Sequence, residues 1–229
     1  MPNAADVRHM FARVAPRYDL LNRMLSCGID VWWRRCAVRL AALRRGERVL
    51  DVCTGTGDLA QAMQRHGADV VGSDFCPEML VRANRKADRR TLPSHYVTAD
   101  TMRLPFADQS FDLVTVAFGI RNVADPVAGL AEMRRVTRKG GRVVVLEFCK
   151  PRLPIVGPMY LFYFRNVLPR IGGLVSGDAS AYRYLPDSVL AFPERAEFLA
   201  LMEQAGLARP QQRILTGGIA ALYRGEVEG

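Results

Sequence analysis

The chain has 229 residues, of which 49% are hydrophobic and 24% charged, so it can bury a sizeable core within one domain. Its five cysteines are scattered, odd in number and without a C-x-x-C pair, so the sequence predicts neither a disulfide framework nor a zinc knuckle and suits a reducing cytoplasm. The net charge of +9 predicts attraction to nucleic acid, an anionic membrane surface or an acidic small molecule, and does not choose among them.

No stretch of eighteen residues is free of both charge and proline. The most apolar region, residues 153–175, is interrupted by prolines and arginines, so it does not predict a membrane-spanning helix. Residues 1–14 lack the continuous apolar core of a secretory signal, and we expect a helix there instead of a cleaved segment.

Two helical patterns open the chain, at residues 5–15 and 29–44. Pro16 and a polar turn at residues 26–28 separate them. These helices are expected to form an N-terminal cap.

From residue 48 onward, short β-rich runs alternate with helical segments. The predicted strands of this region cover residues 48–53, 69–74, 95–99, 111–118 and 142–148. Helices follow the first, second and fourth strands, and residues 139–141 are predicted to form the helix exit and turn before the fifth. This alternation indicates a mostly parallel sheet, and the apolar run 143–146 is typical of a central strand that is buried on both faces.

After Pro151 the alternation gives way to an aromatic-rich insertion at residues 159–164 and a polar stretch that runs to Pro186. The predicted elements that follow are a helix at residues 195–205 and strands at residues 211–216 and 219–224. Gly217 and Gly218 are expected to join these two strands into a terminal hairpin.

The predicted fold is α/β: a doubly wound, mostly parallel, seven-stranded sheet with N-terminal helices and a C-terminal antiparallel hairpin. We expect a single domain over residues 1–229. Its parts are a helical cap at 1–45, a donor-binding core at 46–150, an aromatic-rich insertion at 151–185, and a helix and hairpin at 186–229.

A glycine-rich turn joins the first strand to the following helix. The strand ends at Asp51, and the turn carries Gly55 and Gly57. Glycines let the backbone approach a ligand and helix N–H groups point at it, so this turn suits an anionic or carboxylate-bearing cofactor. Residues 55–60 also satisfy the dinucleotide pattern G-x-G-x-x-A, with Asp74 at the spacing of a ribose-binding acid. An NAD enzyme is therefore the first rival interpretation.

Three features favour a methyl donor: Asp51 precedes the glycines, Asp100 closes the third strand, and the sheet ends in a hairpin. Together they resemble class I (Rossmann-like) methyltransferases, which use S-adenosylmethionine. The resemblance implies that Asp74 holds both ribose hydroxyls, that Asp100 and Thr101 border the adenine, and that the glycine turn receives the methionine part. The cofactor-binding residues it implies are Tyr18, Asp19, Asp51, Thr54, Gly55, Thr56, Gly57, Asp74, Phe75, Asp100, Thr101 and Ala117.

Collinear segments over residues 7–224 resemble the UbiE/MenG family of quinone C-methyltransferases. They are residues 10–11, 18–22, 104–106, 118–122, 135–137, 139–141, 146–148, 169–171 and 182–185. The chain departs from the family pattern at Asp30, where histidine is usual, at Lys139, where proline is usual, and near Cys149, where serine is usual. The ubiquinone-pathway members carry serine at the position of Ala117, so that contact with the donor is absent here.

The resemblance implies transfer of a methyl group to a ring carbon of a polyprenylated quinol in respiratory quinone biosynthesis. The acceptor is either demethylmenaquinol or 2-polyprenyl-6-methoxy-1,4-benzoquinol. A sulfonium methyl is already electrophilic, so the enzyme must align the reacting atoms and favour the quinolate. No metal is expected, since His9, His66 and His95 lack ligand-like spacing.

The implied catalytic residues are Arg121, Asn122 and Tyr18. Arg121 follows the fourth strand, where a parallel sheet has its ligand crevice, and is expected to stabilise the quinolate oxygen or orient a water that takes its proton, with support from Asn122. Tyr18 and Asp19 are expected to fold over the donor and exclude water. Glu147, at the end of the fifth strand, is an alternative proton acceptor.

The expected partners are the polyprenylated quinol and, peripherally, the inner face of the membrane bordering the cytoplasm. Residues 153–175 combine aromatic and cationic side chains and suit three arrangements: a cover for the isoprenoid chain, a contact with anionic lipid, or a lid packed on the domain. A homodimer and a quinone-biosynthesis complex both remain open.

Nucleic acid is not expected as a substrate. Amino-methylating enzymes of that class usually carry an Asn/Asp-Pro-Pro-aromatic run after the fourth strand to hold a flipped base, and residues 117–120 here read Ala-Phe-Gly-Ile. Methyl transfer to another small molecule or to nucleic acid, and an NAD-binding oxidoreductase, stay as alternative functions. A non-catalytic binding module is disfavoured because nothing obvious blocks the donor pocket.

Overall fold

The computed structural model describes residues 4–88, 95–154, 156–167, 170 and 179–229. The helices of these parts are Ala4–Val14 (α1), Tyr18–Leu25 (α2), Ile29–Leu40 (α3), Asp58–Gln64 (α4), Pro77–Asp88 (α5), Pro126–Val136 (α6), Val156–Phe162 (α7), Ala179–Ala191 (α8) and Ala196–Gln204 (α9). The strands are Arg48–Val52 (β1), Asp69–Asp74 (β2), His95–Thr98 (β3), Phe111–Ala117 (β4), Thr137–Phe148 (β5), Ala208–Leu215 (β6) and Ala220–Glu226 (β7).

Seven strands of the described chain form one sheet in the order β3-β2-β1-β4-β5-β7-β6. The strands from β1 to β5 pair in parallel, and β7 lies antiparallel to both β5 and β6. The strand order reverses between β1 and β4, so their carboxyl ends open onto a crevice. The predicted seven-stranded α/β sheet with its C-terminal antiparallel hairpin is confirmed.

The core lies on both faces of β5. Val143 and Val145 pack into a cluster with side chains of α6 and α9, while Val144 and Leu146 pack into a second cluster with side chains of α3 and α4. All four side chains are buried, as the uninterrupted apolar run predicts for a central parallel strand. The sheet is therefore held rigidly from both sides, and its strand ends are fixed supports for a site.

The N-terminal region contains a helix that the sequence pattern does not predict. A 3₁₀ turn at Ala15–Arg17 carries the chain past Pro16, and α2 starts directly after it and buries Leu21. The next helix, α3, ends four residues before its predicted end, because the chain turns through a left-handed conformation at Ala42 (φ 46°).

Two later boundaries also differ. β5 begins at Thr137, and its register on β4 shifts before Arg142, so the predicted turn around Gly140 (φ 72°) is a bulge within the strand. Pro186, expected in a polar stretch, lies inside α8. Most of the predicted insertion beyond Val167 lies outside the described residues, which resume at Ala179 apart from Arg170.

Among the residues that the structure describes, no helix combines the length and the apolar character needed to cross a membrane.

Candidate functional site

Two adjoining cavities open at the crevice between β1 and β4. The first, the strand-end cavity, has a volume of about 110 Å³ and is lined by Gly55, Asp74, Asp100, Thr101 and Ala117, among others. Every one of these residues belongs to a strand end or to the segment that directly follows one. This cavity is therefore built mainly from the sheet.

The second, the aromatic cavity, is larger, at about 310 Å³, and its lining includes Trp33, Phe148, Tyr160, Tyr163 and Phe164. These side chains come from α3, the end of β5, α7 and the π-helical turn Tyr163–Val167. The residues that line both cavities are Phe11, Tyr18 and Phe118. A molecule in one cavity thus lies against the same side chains as a molecule in the other.

Asp51 holds the glycine turn from behind. Its Oδ2 accepts a hydrogen bond from the Thr54 hydroxyl and its Oδ1 accepts one from the Thr115 hydroxyl, both at 2.6 Å. Burial raises the pKa of Asp51 to about 6, although the two hydroxyls oppose this shift. The side chain is 1% exposed, so Asp51 fixes the shape of the turn and leaves the cavity wall to its neighbours.

Asp74 connects the end of β2 to the glycine turn and lines the strand-end cavity. Its Oδ2 accepts the Gly55 N–H and its Oδ1 accepts the Cys76 N–H, each at 2.8 Å. Burial raises its pKa, and the backbone N–H groups counteract that rise. Each carboxylate oxygen has a second lone pair, so Asp74 can still accept hydrogen bonds from hydroxyl groups within the cavity.

The far end of the strand-end cavity combines one carboxylate with apolar walls. Asp100 follows β3 and its Oδ1 accepts the Met102 N–H at 2.9 Å. Thr101 lies beside it with its hydroxyl 3.3 Å from the Cys53 sulfur. Phe75 lines the same cavity and is partly exposed. This end can take a flat apolar group that carries hydrogen-bond donors.

The backbone is strained where β1 and β4 end. Cys53 (φ 49°) and Phe118 (φ 57°) both adopt the left-handed conformation that non-glycine residues rarely occupy. The Phe118 side chain then lies between the two cavities, with its ring 4.4 Å from that of Phe148. The strain places an aromatic partition at the crevice.

Tyr18, the first residue of α2, covers the glycine turn. A Cβ atom placed on Gly55 would lie 4.0 Å from Cε1 of Tyr18, so the ring sits at van der Waals distance above the turn. Burial raises the pKa of the Tyr18 hydroxyl, and a hydrogen bond with Asn22 partly offsets the effect. Tyr18 is thus a neutral cover over the turn.

A charged cluster around Lys86, the Lys86 cluster, fastens α2 to the glycine turn. Asp19 accepts a hydrogen bond from the Thr56 hydroxyl at 2.5 Å and pairs with Lys86 at 2.7 Å. Lys86, on α5, also pairs with Asp58 at 2.7 Å. Three separate elements therefore meet at one ammonium group, which links the N-terminal cap to the glycine turn.

Arg121 and Glu147 form a buried ion pair at the aromatic cavity. Arg121 lines the cavity from the 3₁₀ turn Ile120–Asn122 and donates to Glu147 Oε1 at 2.8 Å and to the Phe118 carbonyl at 2.5 Å. Its guanidinium lies 5.4 Å from the Phe148 ring centroid. The Nε of Arg121 and the Oε2 of Glu147 have no hydrogen-bond partner among the described residues. The Arg121 cation is thus held against an aromatic ring, while one of its N–H groups and one oxygen of its carboxylate partner have no hydrogen bond among the described residues.

Several other polar groups around the aromatic cavity form hydrogen bonds or ion pairs. The Tyr184 hydroxyl donates to Asn122 Oδ1 at 3.0 Å, which turns that amide toward α8. On the opposite wall, Arg34 pairs with Asp30 at 2.5 Å, and the Ser26 hydroxyl donates to the same carboxylate at 2.8 Å. The cavity therefore carries cation–carboxylate pairs on two sides.

The structure brings most of the predicted site residues together and places the others behind the wall. Those that line the strand-end cavity are Tyr18, Gly55, Asp74, Phe75, Asp100, Thr101, Ala117 and Asn122. Those that support the turn without lining either cavity are Asp19, Asp51, Thr54, Thr56 and Gly57. Glu147, weighed as a proton acceptor, lies behind Arg121 as its ion-pair partner.

Sequence reasoning missed several contributors. Trp33 has no local motif and is a buried aromatic residue like any other in a core. Phe148 and Tyr184 fall within family-like segments, but nothing in the local pattern assigns them to a cavity wall. Arg34 carries one weak signal, the i, i+4 spacing to Asp30. Tyr18 is a predicted site residue, but that it lines both cavities together with Phe11 and Phe118 could be found only from the three-dimensional arrangement.

Comparisons with known proteins agree with this geometry. The model of the ubiE/COQ5 methyltransferase family matches residues 2–226. A relative from Deinococcus radiodurans, named demethylmenaquinone methyltransferase, is 51% identical over 96% of this chain and 92% of its own length. A relative from Bdellovibrio bacteriovorus, named ubiquinone/menaquinone biosynthesis C-methyltransferase, is 48% identical over 99% of this chain and 98% of its own.

The fold is also that of solved structures. A crystal structure from Thermotoga maritima, described as an S-adenosylmethionine-dependent methyltransferase, superposes with a TM-score of 0.70 at 19% identity and covers 96% of this chain and 99% of that one. The predicted class I methyltransferase fold is confirmed by this likeness.

Proposed function

Because this chain belongs to the ubiE/COQ5 methyltransferase family, we propose that it methylates a ring carbon of a polyprenylated quinol. It is an enzyme that uses S-adenosylmethionine. The proposed acceptors are demethylmenaquinol and the benzoquinol of the ubiquinone pathway, which correspond to the names of its relatives. Family membership removes the dinucleotide interpretation of the glycine turn.

The observation that carries the proposal is the shared wall of the two cavities, made by Phe11, Tyr18 and Phe118. Asp74 and Asp100 supply carboxylates at separate points of the strand-end cavity, and the intervening surface is largely apolar. This arrangement suits a nucleoside with two ribose hydroxyls and a flat base. When bound, S-adenosylmethionine supplies an electrophilic methyl group.

The aromatic side chains of the second cavity suit a flat quinol ring, and we assign Arg121 to the hydroxyl oxygen whose ionisation makes the ring carbon nucleophilic. A phenol with a pKa of about 10 needs roughly 4 kcal/mol of differential stabilisation to ionise near neutral pH. The Arg121 guanidinium is buried, and burial strengthens its attraction for an oxyanion. Glu147 fixes its orientation through the 2.8 Å ion pair, and Asn122, the next residue of the same turn, is the proposed support.

Tyr18 and Asp19 are assigned to closure of the donor side. The Tyr18 ring covers Gly55, and Asp19 is anchored by Thr56 and Lys86. A cover that excludes water strengthens every electrostatic interaction beneath it and protects the donor from hydrolysis. The protein is also proposed to work peripherally at the cytoplasmic face of a membrane, where a polyprenylated acceptor resides.

The test uses purified protein with isotopically labelled S-adenosylmethionine and two chemically reduced, short-tailed acceptors, a demethylnaphthoquinol and a methoxybenzoquinol. We expect label to appear on the ring carbon of at least one acceptor, measured by mass spectrometry. Thermal-shift measurements with S-adenosylmethionine and NAD provide an independent check of the donor. Donor binding without transfer to either ring would refute the acceptor class, and stabilisation by NAD alone would refute the donor.

A further inference from the structure

The outer face of α3 carries an unusual exposed stripe. Ile29, Trp32 and Arg35 follow one another at a spacing of three residues, so they lie on one side of the helix. Ile29 is 38% exposed and Trp32 is 45% exposed, and Arg35 is exposed as well. Large apolar side chains in water at this density are a signature of a contact surface.

The same pattern recurs at α7. Met159, Phe162 and Arg165 repeat the three-residue spacing in the same order of apolar, aromatic and cationic side chains. Met159 is 68% exposed and Phe162 is 64% exposed. Two elements that are more than a hundred residues apart in sequence thus present matching stripes.

Both stripes border the aromatic cavity. Ile29 belongs to the α3 stripe and lines the cavity itself, and Tyr160 and Tyr163 line it from the α7 side, next to Met159 and Phe162 in the chain. Because Ile29 is partly exposed as well as cavity-lining, the cavity reaches the surface beside it. The exposed apolar side chains therefore flank an opening into the proposed acceptor site.

The two stretches of sequence that carry the stripes are predominantly cationic. Residues 150–177 include four cationic side chains and no aspartate or glutamate, although one of the four, Arg152, pairs with Glu194. Between residues 20 and 46 the single acid is Asp30, which is buried and paired with Arg34. Neither Arg35 nor Arg165 forms an ion pair with a described residue. The surface is therefore apolar near the opening and cationic around it.

We infer that these two stripes are the membrane-contact surface of the protein and that they place the opening of the aromatic cavity against an anionic lipid bilayer. Tryptophan and phenylalanine enter the headgroup boundary, and arginines remain at the level of the phosphates. The orientation would let an isoprenoid tail stay in lipid while the ring enters the cavity, a step that rests on the proposed function. The evidence for the lipid contact itself is the exposure of these side chains and the positive charge near them.

The experiment measures binding of the full chain to sedimented vesicles of phosphatidylcholine, with and without about 30% phosphatidylglycerol. We expect binding to the anionic vesicles that weakens with salt. Trp32→Ser with Phe162→Ser should abolish most of it, and Arg165→Glu should weaken it about fivefold or more. Matched controls are Val81→Ser, an exposed apolar residue on α5, and Arg213→Glu, an exposed arginine on β6, which should bind like the unmodified protein.

Tryptophan fluorescence gives a second readout, because the chain has only Trp32 and Trp33. With Trp33→Phe, the exposed Trp32 is the sole reporter, and we expect a blue shift and quenching by brominated lipid when anionic vesicles are added. With Trp32→Phe, the buried Trp33 should show neither. Equal binding of the stripe variants and the unmodified protein, or equal binding to neutral and anionic vesicles, would overturn the inference.

The vesicle assay contains neither donor nor acceptor, so it separates this inference from the proposed function. Vesicle binding without quinol methylation would support the membrane-contact surface and refute only the proposed acceptor. Methylation of short-tailed quinols without vesicle binding would refute only the surface. A change from dimer to monomer in the stripe variants on size-exclusion chromatography would assign the stripes to self-association and also overturn the lipid contact.

Discussion

The two cavities of this protein are neighbours, yet they are built by different means. The strand-end cavity takes its polar groups from strand ends, where Asp74 is fixed by two backbone N–H groups. In the aromatic cavity, the polar side chain Arg121 is fixed mainly by another side chain, Glu147, and by one carbonyl. Backbone geometry defines the first site, and tertiary packing defines the second.

From this difference we expect the strand-end cavity to determine donor binding and the Arg121–Glu147 pair to affect the methyl-transfer step. A carboxylate that is satisfied by backbone donors is a stable receptor for hydroxyl groups. A buried ion pair is expensive to desolvate and often contributes little to stability, so we propose that the Arg121–Glu147 pair serves to stabilise the ionised oxygen of the acceptor. We therefore expect substitutions in the strand-end cavity to change donor affinity and those at the pair to change turnover.

Asp74→Ala is expected to give the largest effect on the donor side. It removes the proposed ribose acceptor and leaves the N–H groups of Gly55 and Cys76 without their partner, so the Kd for S-adenosylhomocysteine should rise by about 100-fold or more. Isothermal titration calorimetry measures this directly. Asp69→Ala, at the exposed opposite end of β2, is the matched control, and equal Kd values for the two variants would contradict the assignment.

Arg121→Ala is expected to give the complementary result. Loss of the cation should lower kcat by about 30- to 100-fold, while the Kd of the donor stays within about threefold of its original value, because Arg121 lines the other cavity. Steady-state kinetics with saturating donor, combined with calorimetry, separates the two quantities.

A second substitution controls for the unpaired acid that Arg121→Ala leaves behind. Adding Glu147→Gln removes the buried charge, so thermal stability should recover while turnover remains low. Recovery of turnover in the double variant would mean that Arg121 acts only by neutralising Glu147.

The same contrast explains how much could be predicted from the sequence. Asp51, Gly55 and Asp74 lie within one β-α-β unit, where strand ends and glycines have fixed spacing, and the predicted strands of this region end within one residue of the observed ones. A site that is formed by strand ends and glycine turns is recognisable from the local spacing of residues in the sequence. The position of the strand-end cavity and the sheet that carries it could therefore be predicted.

The aromatic cavity could not be predicted in the same detail. Its wall combines Trp33, Phe118, Phe148 and Tyr184, which come from four distant segments, and no local pattern indicates that they face one another. The helix α2 was also missed, because Pro16 suggests an interruption where the chain only turns and restarts. Arg121 was found through resemblance to known enzymes, since no spacing rule links it to Glu147.

The pH dependence of stability offers a smaller test on the donor side. Burial raises the pKa of Asp51 to about 6, above its value in the unfolded chain, so the folded protein binds this proton more tightly. The contribution of Asp51 to stability is therefore present at acidic pH and is lost as the pH rises through about 6. Relative to Asp51→Asn, the unfolding free energy should fall by about 2 kcal/mol between about pH 4 and 7.5.

Chemical denaturation of both proteins at several pH values measures that difference. A difference that stays constant across this range would mean that the hydroxyls of Thr54 and Thr115 hold Asp51 ionised in the fold as readily as water does in the unfolded chain.

Lys86→Met should have the smallest effect, and it tests whether the two cavities are coupled through the N-terminal cap. The substitution keeps the side-chain volume but removes the ammonium group that joins Asp19 to Asp58. Asp19 is about one-third exposed, so solvent screens part of the interaction, and we expect the donor Kd to rise only about fivefold. Turnover at saturating donor should change less than twofold, because the Arg121–Glu147 pair is untouched. Lys139→Met, on the exposed bulge of β5, is the control. A large fall in turnover at saturating donor would show that α2 also positions the acceptor, and the separation between binding and chemistry would then have to be abandoned.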